Sequence, residues 1–394
     1  MRVFDELFGP GHVYCPAVAG AARRWLPLNP ESLSGGQLPF FRETPYFCHA
    51  GVASRKGLDH LAESGHALPS LCYSYRDDVE LVAGLEAYAR DGWKIVANHF
   101  PFPDSLPHEV FWTSPELVSR INHKGLLAEW VSAEHLPQRE LISVDSLVGY
   151  KGPFPVVLKV ATWQSSGGGA YVIQCRSQYD LKKAVACLGD AEQVVLEQWI
   201  DFTELWCLNF VITKDGALSY LGGAQQMIAD DLIFIGNRFY SHQPCSTEMQ
   251  RVGQKVAERI CKAGYYGVVG MDIGIALSGE FFVFDINGRM NASTAPLLAL
   301  SHFPWLGEYP VQQTVRLHHM NDLADLIRLS SLAVHEKRFL PLSTFDPSVA
   351  GLEGMPFIAG LINGDNTQDI NDYLTEKLGQ LPSTRPMHGC PNRH

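Results

Sequence analysis

The chain has 394 residues, 46% hydrophobic and 19% charged, with a formal net charge of −11. That length exceeds one ordinary compact domain, so two or three are expected, and an acidic balance without a basic block argues against a nucleic-acid footprint. No run of about eighteen apolar residues is present, so no membrane-spanning helix is expected, and the early acids, Gly and Pro of "MRVFDELFGPGHVYCPAVAG" do not read as a signal peptide.

The nine cysteines are scattered, odd in number and without a CxxC pair. They read as reduced thiols of a cytoplasmic protein, not as a disulfide framework or a zinc site. "DDVELVAGLEAYARDG" (Asp77 to Gly92) carries a helix-start Asp and a helix-stop Gly. "WKIVANHF" follows as a buried strand, which makes an α/β unit. "PFPDSLPHEVF" (Pro101 to Phe111) reads as a Pro-rich linker. "TSPELVSRINHKGLLAEWVSAEH" (Thr113 to His135) reads as one helix, with Thr113 and Glu116 as its capping box.

From Phe154 strands dominate: "FPVVLKVA", then a Ser/Gly loop entering "AYVIQC", then "EQVVLEQWI" and "ELWCLNFVIT". "SQYDLKKAVACLG" and "STEMQRVGQKVAERICKAGY" read as helices with Ser caps. The last hundred residues hold one clear helix, "MNDLADLIRLSSLAVHE", and a tail, "PSTRPMHGCPNRH", expected to be mobile. No internal repeat is visible. The expected domains are 1–110, 111–200 and 201–394.

The stretch "MDIGIALSGEFFVFDINGRMN" (Met271 to Asn291) reads as a hairpin centred on Ser278-Gly279. That register pairs Asp272 with Asp285, with Cβ atoms roughly 5 Å apart on one face, and puts Asn287 on the same face. Carboxylates that close need a positive charge between them. Two Asp and an amide oxygen are hard donors, suited to Mg²⁺ or Mn²⁺ carrying substrate phosphates. Arg289 is placed to meet such a phosphate. The plainer alternative is a pair of separate edge charges beside an Asn287-Gly288 turn. "SSGGG" offers backbone N–H groups that can fold over phosphates. It is neither a Walker A loop nor a dinucleotide fingerprint, since it enters a strand. Lys159 lies inside an apolar strand, where it needs an anion unless it reaches solvent at an edge.

The ordered set of Lys124 in "INHK", Lys159 in "VVLKV", "SSGGG", "VLEQWI", "GYYGVVGMD" and "FDINGRMN" resembles the ATP-grasp superfamily over roughly residues 110 to 300. The resemblance implies an α/β (α+β) chain with an ATP-grasp fold behind an N-terminal α/β domain. It implies that Lys124 and Lys159 contact ATP phosphates, and that Ser165, Ser166, Gly167, Gly168 and Gly169 form a lid over them. Glu197, Gln198, Trp199 and Ile200 would be the adenine hinge, and Glu204 the acid on the ribose. Asp272, Asp285 and Asn287 would hold Mg²⁺ (or Mn²⁺), and Arg289 would neutralise the transferred phosphoryl. The family usually has Glu where this chain has Asp285, which leaves one or two metal ions open.

The implied reaction activates a carboxylate as an acyl-phosphate and couples it to an amine, giving an amide, ADP and phosphate. The expected enzyme is an ATP-grasp carboxylate–amine ligase of amino-acid-like small molecules. A non-catalytic ATP-binding sensor or scaffold is the alternative, as is a ligase that loads a carrier-protein thiol. Biotin-dependent carboxylation is disfavoured, since no Met-Lys-Met acceptor is present. On the acceptor side Gln225, Gln226 and Arg238, or Ser293 and Thr294, can face substrate; an ordinary surface hairpin is equally consistent. His99, at a strand end, reads as structural more readily than as catalytic. No nucleic-acid or membrane partner is expected. Homodimers are common among these folds, though nothing in the sequence names an interface.

Overall fold

The structure is a computed structural model that describes residues 4–20, 29–100, 102–103, 105–164, 171–188, 190–229, 232–241, 245–318 and 322–380. The expected Ser/Gly lid, residues 165–169, and the expected mobile tail lie outside the described residues.

The first sheet is parallel: β1 (His12–Cys15), β2 (Tyr46–His49), β3 (Cys72–Tyr75) and β4 (Lys94–Ala97), in the order β3-β2-β1-β4. β1 and β2 are buried throughout, as strands covered on both faces must be. Helices Arg55–Glu63 and Asp78–Arg90 make the crossovers. Each starts where the sequence signals it: Ser54 accepts from the Gly57 N–H, and Asp77 from the Glu80 N–H.

The second sheet is antiparallel: β5 (Arg139–Ser143), β6 (Val156–Val160), β7 (Val172–Cys175) and β8 (Gln193–Gln198), in the order β5-β8-β6-β7. Helix Gln178–Cys187, capped by Ser177, covers it. Its core of Leu158, Leu181, Val194 and their neighbours is separate from the rest.

The third sheet has eight antiparallel strands: β9 (Phe202–Ile212), β10 (Leu218–Ala229), β11 (Ile233–Tyr240), β12 (Gly267–Ala276), β13 (Phe281–Asn287), β14 (Val311–His318), β15 (Phe339–Phe345) and β16 (Phe357–Gly364). Their order is β13-β12-β9-β10-β11-β14-β16-β15. Helix Thr247–Lys262 lays Val252, Val256 and Ile260 on the β9 side. One apolar cluster runs from Phe41 and Phe47 of the first layer to Phe210 and Val269 of this sheet.

Three expectations need correction. The helix expected over 113–135 breaks after Asn122: helix Pro115–Asn122 is followed by single turns over Lys124–Leu126 and Leu127–Trp130. Its cap is Ser114, which accepts from the Leu117 N–H and leaves Pro115 at the first helical position, where its missing N–H costs nothing. The Pro-rich stretch before it is not an open linker. Phe100, Phe111 and Trp112 are buried, and the Trp112 indole N–H donates to the Tyr266 carbonyl at 2.9 Å. The last hundred residues hold more than one helix. β14, β15 and β16 extend the large sheet, and helices Thr294–His302 and Thr367–Glu376 flank it.

Candidate functional site: a cavity between the three sheets

The β12–β13 hairpin brings Asp272 opposite Asp285 and Asn287 opposite Gly270. It reaches that register by an unexpected route. Ala276 N–H donates to the Glu280 carbonyl and Gly279 carries φ +88°, so the loop is Leu277-Ser278-Gly279, one residue longer than a two-residue turn. Ile273 therefore faces Val283, and a bulge restores the Asp272–Asp285 pairing by leaving Phe284 extra. The bulged carbonyl of Phe284 accepts from Lys159 Nζ at 3.1 Å, and its ring lies 5.5 Å from that ammonium.

The two carboxylates are not equivalent. Lys124 Nζ sits 2.7 Å from Asp285 Oδ2, delivered there by the helix break after Asn122. Asp272 Oδ1 is enclosed and has no hydrogen-bond partner among the described residues. Burial, and then the nearby Asp285 charge, push the Asp272 carboxyl up to about 6; Cys207, Gln226 and Lys124 pull the other way. A carboxylate so placed is short of one positive charge. Hard oxygen donors on Asp272, Asp285 and Asn287 fit a divalent ion such as Mg²⁺.

Lys159 does find an anion, and it is Glu197. Lys159 Nζ donates to Glu197 Oε1 at 2.5 Å, while Arg139 Nη1 lies 3.3 Å from Glu197 Oε2. Arg139 also donates to the Lys124 carbonyl. Burial lowers the pKa of both Lys159 and Arg139, and Glu197 opposes that shift. Glu197 is therefore a buried counter-ion as well as the first residue of the expected hinge.

Arg289 closes this end. Burial lowers its pKa, with Asp285 and Asp272 opposing, and its Nη1 donates to the Met290 carbonyl at 3.2 Å. His99 sits just past β4, at the carboxyl end of the parallel sheet, where ligands of such sheets bind. It is 6% exposed, and its Nδ1 has no partner among the described residues. Burial, with Arg289 adding to it, pulls its pKa well below the usual imidazole range, so the ring is neutral.

These groups line one cavity of about 540 Å³. Lys124, Lys159, Glu197, Gln198, Trp199, Ile200, Asp272, Asp285, Asn287 and Arg289 all reach it. Glu204 is not among its lining residues; it accepts from the Trp206 indole N–H at 2.7 Å, and Asp201 is the acid beyond the hinge that faces the cavity. Of the expected acceptor residues, Gln226 and Ser293 line the cavity, whereas Gln225, Arg238 and Thr294 do not. Ser293 and Thr294 belong to a buried net with Asn209 and Asn291. Sequence reading missed Asn237 and Arg316. Alternation along β11 turns Asn237 inward when its neighbour Arg238 turns out.

A family model described as the ATP-grasp part of L-aspartate–L-methionine ligase matches residues 137–287, and one described as that ligase's N-terminal domain matches residues 3–119. The chain belongs to the ATP-grasp carboxylate–amine ligases. It is thus an ATP-dependent enzyme that forms a carbon–nitrogen bond between small substrates. Solved structures share the fold at low identity. N5-carboxyaminoimidazole synthase from Aspergillus clavatus, solved with ADP and 5-aminoimidazole ribonucleotide, has TM-score 0.56 and 13% identity, covering 94% of this chain and 98% of that one. An L-amino acid ligase from Bacillus licheniformis has TM-score 0.52 and 12% identity, over 88% and 95% of the two chains. A biotin carboxylase from Campylobacter jejuni has TM-score 0.53 and 11% identity, over 86% of each. Among the described residues, no helix is long and apolar enough to cross a membrane.

Proposed function

We propose that the ligase activates L-aspartate and joins it to L-methionine. The observation that carries this reading is that two family models described for that one ligase match successive parts of the chain. The two ends of the cavity support it. One end is cationic, with Lys124, Arg289 and a candidate metal site, and suits an acid being phosphorylated. The other is walled by Ile228, Leu232, Phe234, Leu342 and Phe357, and suits an apolar side chain.

In this reading an aspartate carboxylate oxygen attacks the γ-phosphorus of ATP, and the bond to ADP breaks. The amine nitrogen of methionine then attacks the acyl carbon. The carbon–oxygen bond to phosphate breaks, phosphate leaves, and the nitrogen gives up a proton. Phosphoryl transfer needs positioning and charge neutralisation more than a covalent protein group. Lys124 and Arg289 offer cations at the phosphate end, and Lys159, locked by Glu197 and Phe284, offers a fixed one. Asp272, Asp285 and Asn287 would hold Mg²⁺, which spreads phosphate charge when bound. Val157, Val172, Leu205 and Phe284 line the cavity beside 198–200 and make an apolar slot for adenine. Asp201 takes the ribose hydroxyls in place of Glu204. Division of the chain near residues 110 and 200 is supported by the three sheets, over 12–97, 139–198 and 202–364. A cytoplasmic setting is supported by free thiols at all the described cysteines.

The test is ADP release with Mg²⁺ and pairs of amino acids, with mass spectrometry of the product. Aspartate plus methionine should give a product lighter than their sum by one water. ADP formed only with some other pair, or with none, refutes the assignment.

A further inference from the structure

The amine end of the cavity holds a side chain whose task no contact explains. Asn237 is 1% exposed, lines the cavity, and has an Oδ1 with no partner among the described residues. Leaving a buried amide oxygen unpaired is costly. Its backbone is well tied: Asn237 N–H donates to Thr314 Oγ1 at 2.7 Å, which fixes β11 against β14. The side chain is therefore held in place and free at its tip.

Its surroundings follow from strand register. Asn237 pairs across β10–β11 with Gln226, and directly opposed residues share a face. Gln226 in turn lies against Asp272 at the metal end. On the other side Thr314 is the neighbour, and Arg316 comes two residues later, again on that face. The Arg316 guanidinium lies 4.1 Å over the Phe357 ring and faces the cavity. Burial pulls its pKa down to about 10, which leaves it charged at neutral pH. Finally, the bulge between Met227 and Ile228 makes Ile235 extra, so Phe234 pairs with Ile228 and both turn to the cavity beside Asn237. One face thus presents a neutral acceptor, a cation and an apolar strip.

We propose that this face is the seat of the amine substrate, an α-amino acid with an apolar side chain. Asn237 Oδ1 accepts a hydrogen bond from its amino group, Arg316 binds its carboxylate, and Ile228 and Phe234 hold its side chain. The assignment rests on the ligase reading above and adds which residues recognise the amine. The chemistry favours an amide over a carboxylate at the nitrogen. Attack needs a nitrogen lone pair, and a carboxylate would hold the nitrogen as ammonium, which has none. The cations at the metal end repel an ammonium as well, so a neutral acceptor set one side chain away from Asp272 is the place for a reactive amine. Arg316 marks the carboxylate that is not to react by holding it away from the phosphate end.

The experiment compares L-methionine with two analogues, one lacking the amino group (4-(methylsulfanyl)butanoate) and one lacking the carboxylate (3-(methylsulfanyl)propylamine). Wild-type enzyme, with ATP, Mg²⁺ and aspartate, should bind each analogue about tenfold or more weakly than methionine, read as Ki or KM. Asn237→Leu should erase the penalty for the missing amino group and keep that for the missing carboxylate. Arg316→Met should do the reverse. Both should raise the KM for methionine more than that for aspartate. Asn237→Ala and Arg316→Gln, which also remove the amide acceptor and the positive charge, carry the same comparison if the first pair do not fold. Equal wild-type affinity for methionine and either analogue overturns the proposal, as does a penalty that survives removal of its assigned residue. Failure of the ligase reading looks different: no ADP forms from wild-type enzyme with aspartate and methionine at all.

Discussion

The two ends of the cavity are built on opposite principles. At the phosphate end most charges sit in close pairs: Lys124 with Asp285, and Lys159 and Arg139 with Glu197. Asp272 and Arg289 are left over from those pairs, and Asp272 sits where a divalent ion would find a hard oxygen donor. At the amine end polar atoms are few and set in apolar walls, with Asn237 held by its backbone and open at its side chain. A site that handles phosphates tolerates crowding, because strong charges orient one another. A site that must choose among similar amino acids gains more from single polar atoms in a dry setting, where one unmade hydrogen bond is costly.

The largest expected effect tests the leftover charge. Asp272→Asn should lower turnover on the order of 10³-fold, and Arg289→Ala should do the same, because each removes charge complementarity at the transferring phosphoryl. The same Asp272→Asn change should raise metal-free stability by about 1 kcal/mol, since it removes a buried charge facing a like one. Loss of activity together with loss of folding would break the distinction between a functional and a structural carboxylate; near-normal turnover in either variant would remove the metal assignment. Next comes Glu197. Glu197→Gln leaves Lys159 and Arg139 buried without their anion and should cost about 3–5 kcal/mol in denaturant unfolding. The double change Lys159→Met with Glu197→Leu should cost less than Glu197→Gln alone. Equal costs would mean that the pair is not coupled.

How much of this was legible in sequence follows the same division. The phosphate end was readable because its residues sit in local patterns. Asp272, Asp285, Asn287 and Arg289 lie on one hairpin, and Lys159 stands out in an apolar strand. Even so, the hairpin register rests on a three-residue loop and a bulge at Phe284 that offset each other. Lys124 was found by its motif inside a helix that in fact breaks to deliver it. The amine end was illegible because it is assembled from β10, β11 and β14, strands joined by register and not by motif. β14 was not recognised as a strand. β15 and β16 hid for local reasons: Pro341 lies at a bulge, and Gly360 is needed because a Cβ there would come 2.2 Å from the Leu340 carbonyl oxygen. Gln225 and Arg238 looked as plausible as Gln226, and Asn237 was passed over. Only the register says which pair faces in.

A smaller effect sharpens the amine end. Ile228→Ala removes part of the apolar wall and should raise the KM for methionine by about tenfold, with the KM for aspartate within about twofold. A matching rise for aspartate would mean that the two ends are not separate subsites.

The mildest lever is pH, and it acts outside both ends. His66 joins the layer of the parallel sheet to β15: its Nε2–H donates to the Pro341 carbonyl at 2.6 Å, and its ring packs edge-on to Phe303. Burial lowers its pKa to about 4, with Arg42, His302 and His60 adding positive charge nearby, while the Pro341 bond resists. Buried His60 is also lowered to about 4. A lowered histidine is neutral in the folded protein and protonated in the unfolded chain at mild acid. Its stability contribution is therefore full above the ordinary 6.5 and is lost as pH falls from there toward 4. For His66 the loss is about 1–3 kcal/mol by pH 4.5. His66→Phe keeps a ring among Phe40, Phe303 and Pro341 but cannot titrate. Its melting temperature should start lower at pH 7.5, where the carbonyl of Pro341 loses its donor, and should fall less steeply than wild type toward pH 5. Parallel curves for the two proteins would mean that His66 is not among the groups whose protonation unfolds the chain.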